Sequence, residues 1–145
     1  MKGRIIAIIL CILLVGCSGS NTVKKVYIKN VTELVEQFKA KGLSVFDSKN
    51  MEATDFGMAP FVSDEAMIFG AQKDEGGENM NGRVFKVIKL ADLEKLKTYY
   101  VDLGKASAML FSHTYSKSEY LIQMNGSVSK ETFQKYVDVM NEVIK

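Results

Sequence analysis

The sequence predicts an α+β domain: an antiparallel sheet of about four to five strands, with three helices packed mainly on one face. Three observations lead there. Apolar residues recur at helical spacing in three stretches, each bounded by a capping or terminating residue. Between them lie short segments in which apolar and polar residues alternate, the period of a half-buried strand. Clusters of Gly, Asn and Ser join those segments at hairpin length, which suits antiparallel neighbours.

Val26-Tyr27-Ile28 reads as a short first strand. Asn30 then caps a helix, and Glu33 at the third helical position completes a capping-box-like pair. Val31, Leu34, Val35 and Phe38 follow at helical spacing, Lys39 and Lys41 suit a helix C-terminus, and Gly42 can end it in the left-handed conformation. The spacing predicts a helix over 31–41. Leu43 to Phe46 alternates as a strand. Residues 47–64 contain Pro60, which forces Ala59 to be extended, and are expected to be irregular. Ala66 to Ala71 predicts a mostly buried strand, 73–82 a long glycine-rich hairpin loop, and Val84 to Ile88 the return strand.

Leu90, Leu93, Leu96, Tyr100 and Leu103 mark one face of a second helix over 91–103, ended by Gly104. Ala108 to Tyr115 and Glu119 to Met124 alternate across a short polar turn. Met109, Phe111, His113 and Tyr115 share one face, as do Tyr120, Ile122 and Met124. Asn125-Gly126 turns the chain and Ser129 caps the last helix, with Val128 and Phe133 stapling across the cap. Phe133, Tyr136, Val137, Met140 and Ile144 supply its stripe. Tyr100-Val101-Asp102-Leu103 is echoed by Tyr136-Val137-Asp138-Val139, which allows a duplicated ββα unit.

Ahead of the domain, Lys2 and Arg4 precede an apolar run from Ile5 to Val15. A basic segment, an apolar segment and small residues make a secretory signal. The run is 11 residues long. A bilayer-spanning helix needs about 20, so this is an export signal and not a stable anchor. Leu14-Val15-Gly16-Cys17, at its end, resembles the lipobox of bacterial lipoproteins. The resemblance implies cleavage after Gly16 and a diacylglyceryl group on Cys17, the new N-terminus. An ordinary signal peptide with a chance Cys is the other reading. The chain then divides into a signal peptide over 1–16, which is removed, a lipidated N-terminus and short tether over 17–25, and a single α+β domain over 26–145.

Processing changes the composition. Lys2 and Arg4 leave from 19 basic residues against 17 acidic ones, so the mature side chains balance. Nucleic-acid binding needs a basic patch or stripe, and the balance gives no support for one. Cys11 leaves and Cys17 is lipidated, so no thiol remains for a disulfide, a redox pair or a thiolate metal site. Arg83 is the one mature Arg beside abundant Lys, Ile, Val and Met, a composition that suggests an AT-rich genome and a low-GC Gram-positive host.

The candidate chemical sites each have a plainer account. His113 is the only histidine, with Phe111 and Tyr115 on its strand face. One His builds no His-rich metal site, and the neighbouring Ser112 points to the opposite face, so no hydrolase triad is expected. Asp55-Phe56-Gly57 has the letters of a kinase metal-binding motif, but the chain lacks the Gly-rich loop and the His-Arg-Asp run. A rigid loop whose Phe and Pro pack on the domain is expected instead. Asp74, Glu75 and Glu78 lack the spacing of an EF-hand, and Gly76-Gly77 precedes no helix. The methionines read as core fillers, and only one of Tyr99 and Tyr100 can face inward. No catalytic residue, cofactor or metal is assigned, and the chain is expected not to be an enzyme.

Three stretches carry a family likeness: Asp55-Phe56-Gly57-Met58-Ala59-Pro60, Phe111-Ser112-His113-Thr114-Tyr115 and Gln123-Met124-Asn125-Gly126. With Cys17 and the strand–helix order, they resemble small lipoproteins carried by mobile elements of low-GC Gram-positive bacteria. That group includes YddJ-like exclusion lipoproteins, which block the conjugation machinery of an element the cell already carries. The resemblance implies a lipid-anchored protein on the extracytoplasmic face of the cell membrane, held in the lipid bilayer through diacylglyceryl-Cys17. It would bind an envelope or conjugation-machinery membrane protein and so exclude redundant conjugative DNA transfer. Loops 51–63 and 72–82 are the segments expected to meet that partner. Phage superinfection exclusion, an envelope-stress role and small-ligand binding are the alternatives.

Overall fold

The computed structural model describes residues 27–145. Its first element is α1, Val31–Ala40. The Asn30 side chain accepts a hydrogen bond from the Glu33 amide at 2.8 Å, and the Glu33 carboxylate reaches back to the Lys29 amide at 2.8 Å. The first bond satisfies a main-chain amide that helix formation leaves open, and the second ties the residue ahead of the cap to the first turn. Gly42 follows at φ +78°, the left-handed exit that only glycine adopts without strain. Then come β1 (Phe46–Asn50), β2 (Glu65–Lys73), β3 (Asn79–Lys86) and α2 (Leu90–Ala106). The chain closes with β4 (Ser112–Lys117), β5 (Tyr120–Asn125) and α3 (Lys130–Val143). Short 3-10 turns stand at Ala53–Phe56 and Ala108–Leu110.

The strands form one antiparallel sheet of five, in the order β1-β2-β3-β5-β4, so the α+β prediction holds. Alternation sorts their side chains to two faces. Met67, Phe69, Ala71, Val84, Ile122 and Met124 point toward α1 and α3 and build the larger core with Leu34, Phe38 and Tyr136. There the Phe38 ring stands edge-on to Tyr136 at 5.0 Å, an arrangement worth about 0.5–1.5 kcal/mol beyond the area it buries. Phe85 and Leu121 point the other way, where Leu93, Leu96 and Tyr100 of α2 cover them together with Phe56. Two helices therefore share one face, and α2 takes the opposite one.

That placement bears on the internal echo. Both halves run strand, strand, helix, as β2-β3-α2 and β4-β5-α3. Their helices lie on opposite faces of the sheet, so the two units have opposite hand and no rotation superposes them. The echo survives only locally, in Tyr100 and Tyr136, each buried on the core side of its helix.

Several bounds differ from expectation, each for a local reason. Tyr27 and Ile28 are not in a strand, and Val26 lies outside the described residues. The strand expected over 43–46 instead begins at Phe46, because Leu43 and Val45 dip into the larger core from irregular chain. The loop expected over 73–82 shrinks to 74–78, since Asn79 to Gly82 pair with Lys73 to Phe69. Asp74 Oδ1 closes this hairpin by accepting from the Gly76 and Glu78 amides at 2.9 and 2.8 Å. α2 does not stop at Gly104 but continues to Ala106, and Leu90, expected in its buried stripe, is exposed. The strand expected from Ala108 starts at Ser112, which leaves Met109 94% exposed rather than aligned with His113.

Candidate functional site at the open edge of the sheet

An open sheet has two edges, here β1 and β4. β4 pairs with β5 residue for residue, from Ser112 opposite Asn125 to Lys117 opposite Tyr120, with no register shift. Among the described residues, no backbone hydrogen bond outside that ladder involves residues 112–117. The outer amides and carbonyls of β4 are thus a ready template for another strand.

Beside the first half of β4 lies a groove of about 620 Å³. One wall is α2, through Tyr100, Val101 and Gly104; the other is the first turn of α3, through Lys130, Phe133 and Gln134. Phe111 sits between them. A Cβ at Gly104 would lie 3.3 Å from the Phe111 ring, and a Cβ at Gly126 would lie 2.3 Å from the Phe111 carbonyl oxygen. Glycine inside a helix costs about 1 kcal/mol relative to alanine. At 104 that cost lets Phe111 lie directly on α2.

Although seated in this way, Phe111 remains 48% exposed. Its ring meets His113 edge-on at 5.0 Å, and His113 stacks on Phe133 at 5.0 Å and 21°. His113 Nε2 donates to the Val128 carbonyl at 2.8 Å. The histidine is therefore a packed, hydrogen-bonded spacer between two phenylalanines. Val101, on the α2 wall, is itself partly exposed, and exposed Met109 and Leu110 precede Phe111 in the chain. The charged groups lining it are Lys105 and Lys130. Lys105 pairs with Asp102 at 2.9 Å, whereas Lys130 makes no ion pair among the described residues. Ser112 Oγ is buried there without a hydrogen-bond partner.

The other singled-out residues serve the fold. Asp55 Oδ2 accepts the Glu52 amide at 2.9 Å and faces Lys49 at 3.0 Å; these two contacts hold its carboxyl below the usual carboxylate range. Phe56 is buried and meets Phe85 at 5.9 Å, so this segment is the packed loop its Phe and Pro suggest. Arg83 Nη1 donates to Oε1 of buried Gln123 at 2.9 Å. Tyr100 faces inward, and Tyr99 packs beside it at 5.2 Å. Among the described residues no three His, Cys, Asp or Glu side chains gather as a metal site would need, and no helix is long and apolar enough to cross a membrane. Leu14, Val15, Gly16 and Cys17 lie outside the described residues.

The two ends of the sheet have different neighbours. The described chain begins at Tyr27, in a cleft with Ser118, Glu119 and Lys145. The Lys145 ammonium bonds the Tyr27 hydroxyl and lies over its ring at 3.8 Å, and it draws the hydroxyl below its ordinary range. The β4–β5 turn is at this end, so the groove lies near the far end of β4, about 20 Å along a strand of this length. Residues 51–63 also lie at the Tyr27 end, joined to it where Met51 bonds Ala66 and Asp64 bonds Lys86. Residues 74–78 lie at the other. The two loops expected to meet a partner together are at opposite ends.

Sequence reasoning takes Gly104 only as a helix end and passes over Lys105 and Lys130. The available signal is a glycine within an otherwise helical pattern, which marks close packing as readily as a terminus. Compared with protein-family models, with curated proteins and with solved structures, the chain matches none.

Proposed function

We propose that this chain is a membrane-anchored extracytoplasmic lipoprotein that acts by binding another protein and excludes redundant conjugative DNA transfer into its host cell. The observation that carries the reading is Leu14-Val15-Gly16-Cys17 behind a basic and then apolar segment. Lipid chains on Cys17 give durable attachment where a single chain would not. The tether from Ser18 to Lys25 spans under about 30 Å even when extended, which keeps the domain beside membrane proteins. The geometry supports the binding half of the proposal. The groove is apolar, partly open, and lies toward the opposite end of β4 from Tyr27, so an anchor and a partner would not compete for one surface.

The test is acquisition of a related conjugative element by recipient cells that express the wild type or Cys17→Ala. Protection by the wild type and none by the variant is expected. No protection from wild-type protein confirmed at the surface would overturn exclusion of conjugation, and phage plating on the same cells would then decide the phage alternative. One observation favours a second reading. A groove of about 620 Å³ with mostly apolar walls is within the size of small-ligand sites. Thermal stabilisation in a screen of apolar metabolites would support it.

A further inference from the structure

We infer that β4 accepts an extended segment of the partner protein as a sixth strand, with an apolar side chain on the α2 side of the groove, beside Phe111 and Val101, and a carboxylate on the α3 side, against Lys130. This deepens the protein-binding reading and rests on it, but not on the lipid anchor or on conjugation.

Three observations carry the inference. The first is the strand itself: β4 is regular along its whole length, with its outer main-chain groups unpaired among the described residues. Main-chain hydrogen bonds to such an edge supply affinity for any extended chain, and pockets for alternate side chains supply specificity. The second is the position of the groove. Its walls come from α2 on one face of the sheet and α3 on the other, so they flank the line an added strand would follow. Side chains of that strand would alternate between the two walls. Ser112 Oγ, buried and without a partner, stands at the same place.

The third is charge. The ionic groups lining the groove are cations, one from each wall, and Lys105 already has Asp102 as a partner. Lys130 is left for the carboxylate. A second copy of this chain paired edge to edge would bring like charge to these cations in either direction: Lys117, at the end of its β4, in antiparallel pairing, or its own Lys105 and Lys130 in parallel pairing. Like charges set together disfavour that pairing and favour an acidic partner.

The test uses the full chain in detergent micelles and a short synthetic peptide that alternates Val or Phe with Glu. A matched peptide with Lys in place of Glu is the control. Amide hydrogen exchange is followed along the chain. The acidic peptide is expected to slow exchange at residues 112–117 and to leave 46–50 unchanged. The cationic peptide should bind about fivefold more weakly, the factor an exposed charge pair provides. Lys130→Glu should reverse that order while circular dichroism and melting stay unchanged, since an acidic residue suits the first turn of a helix. Phe111→Ser should weaken both peptides.

Absence of protection at 112–117 with either peptide, or equal binding of both, would overturn the inference. Protection there on concentrating the chain alone would overturn it in favour of a second copy. Stabilisation by a small apolar dye with no peptide effect would overturn it in favour of a small ligand. Lys130→Glu also goes into the recipient-cell assay. Full exclusion by that variant would overturn the edge as the binding site and leave exclusion standing. Peptide binding at β4 without any exclusion by the wild type would support the edge and overturn only the conjugation reading.

Discussion

β1 and β4 end the same sheet and are built in opposite ways. β1 is interrupted by a register shift between Phe46 and Lys49, and Asp47 stands at φ 47°. The Asp47 carboxylate accepts from Asn79 Nδ2 at 2.8 Å, Lys49 pairs with Asp55 at 3.0 Å, and the Lys73 ammonium lies 5.6 Å over the Phe46 ring. Bulges and charges of this kind stop foreign strands from adding to an edge. β4 carries no irregularity, and its only charged residue, Lys117, is its last. One edge is thus guarded and the other is regular beside an apolar groove, which is the contrast the proposed strand addition at β4 rests on.

The largest expected effect separates the rigid seat at β4 from the softer packing at β1. Gly126→Ala should cost about 1–3 kcal/mol, the usual range for overpacking. Its Cβ would meet the Phe111 carbonyl oxygen at 2.3 Å, and a main-chain atom cannot swing aside. Gly70→Ala is the counterpart, next to β1. There the Cβ would meet Asn79 Cγ at 2.7 Å, the end of a side chain that can turn away. Its loss should be limited to the Asn79–Asp47 hydrogen bond, about 0.5–1.5 kcal/mol. Urea denaturation of the two variants gives the comparison, and a larger loss for Gly70→Ala would break it.

The amphipathic helices were legible in the sequence because their signals are local. Asn30 and Ser129 cap where their chemistry predicts, and the stripes of α1 and α3 are buried as spaced. The faces were not legible. The stripe of α2 says that one side is buried but not which side of the sheet receives it, so the opposite hand of the two ββα units had no local cue. The start of β3 was hidden for another reason. Asn79-Met80-Asn81-Gly82 has the composition of a turn, and only the neighbouring β2 turns it into strand. The groove shares this limit. Phe111 to Tyr115 stands out in the sequence, but Gly104 and Lys130 join it only because two helices cross the same edge from opposite faces.

A smaller effect comes from the hydroxyl that fixes the approach to β1. Tyr136 donates to the Ser44 carbonyl at 2.5 Å, and burial pushes its hydroxyl from 10.0 up to about 12. A pKa raised by folding means stability that is present in full below the unfolded value and lost as pH rises through the folded one. The window is therefore pH 10.0 to about 12. Tyr136→Phe should cost about 0.5–1.5 kcal/mol at neutral pH and should flatten the alkaline decline within that window. Tyr120, also raised to about 12 by burial, remains to titrate there, so the decline should lessen without vanishing. Denaturant midpoints measured across that range check both parts. If the variant declines as steeply as the wild type, Tyr136 does not hold the chain ahead of β1.

The smallest effect sharpens the comparison through two residues with the same backbone problem. Ser118, in the β4–β5 turn, has φ 53°, and Asp47, in β1, has φ 47°. A left-handed L-residue costs about 1–2 kcal/mol, less for Asp, and glycine removes that cost while losing about 0.5–1 kcal/mol of its own through chain entropy. Ser118 is exposed, so Ser118→Gly should raise stability by up to about 1 kcal/mol. Asp47→Gly gains less relief and loses the bond from Asn79, so it should lower stability slightly. Thermal melts of the two variants should therefore move in opposite directions. A gain at both positions would mean that the strain at Asp47 brings no compensating contact, and that the irregularity of β1 is a by-product of its turn rather than a guard on its edge.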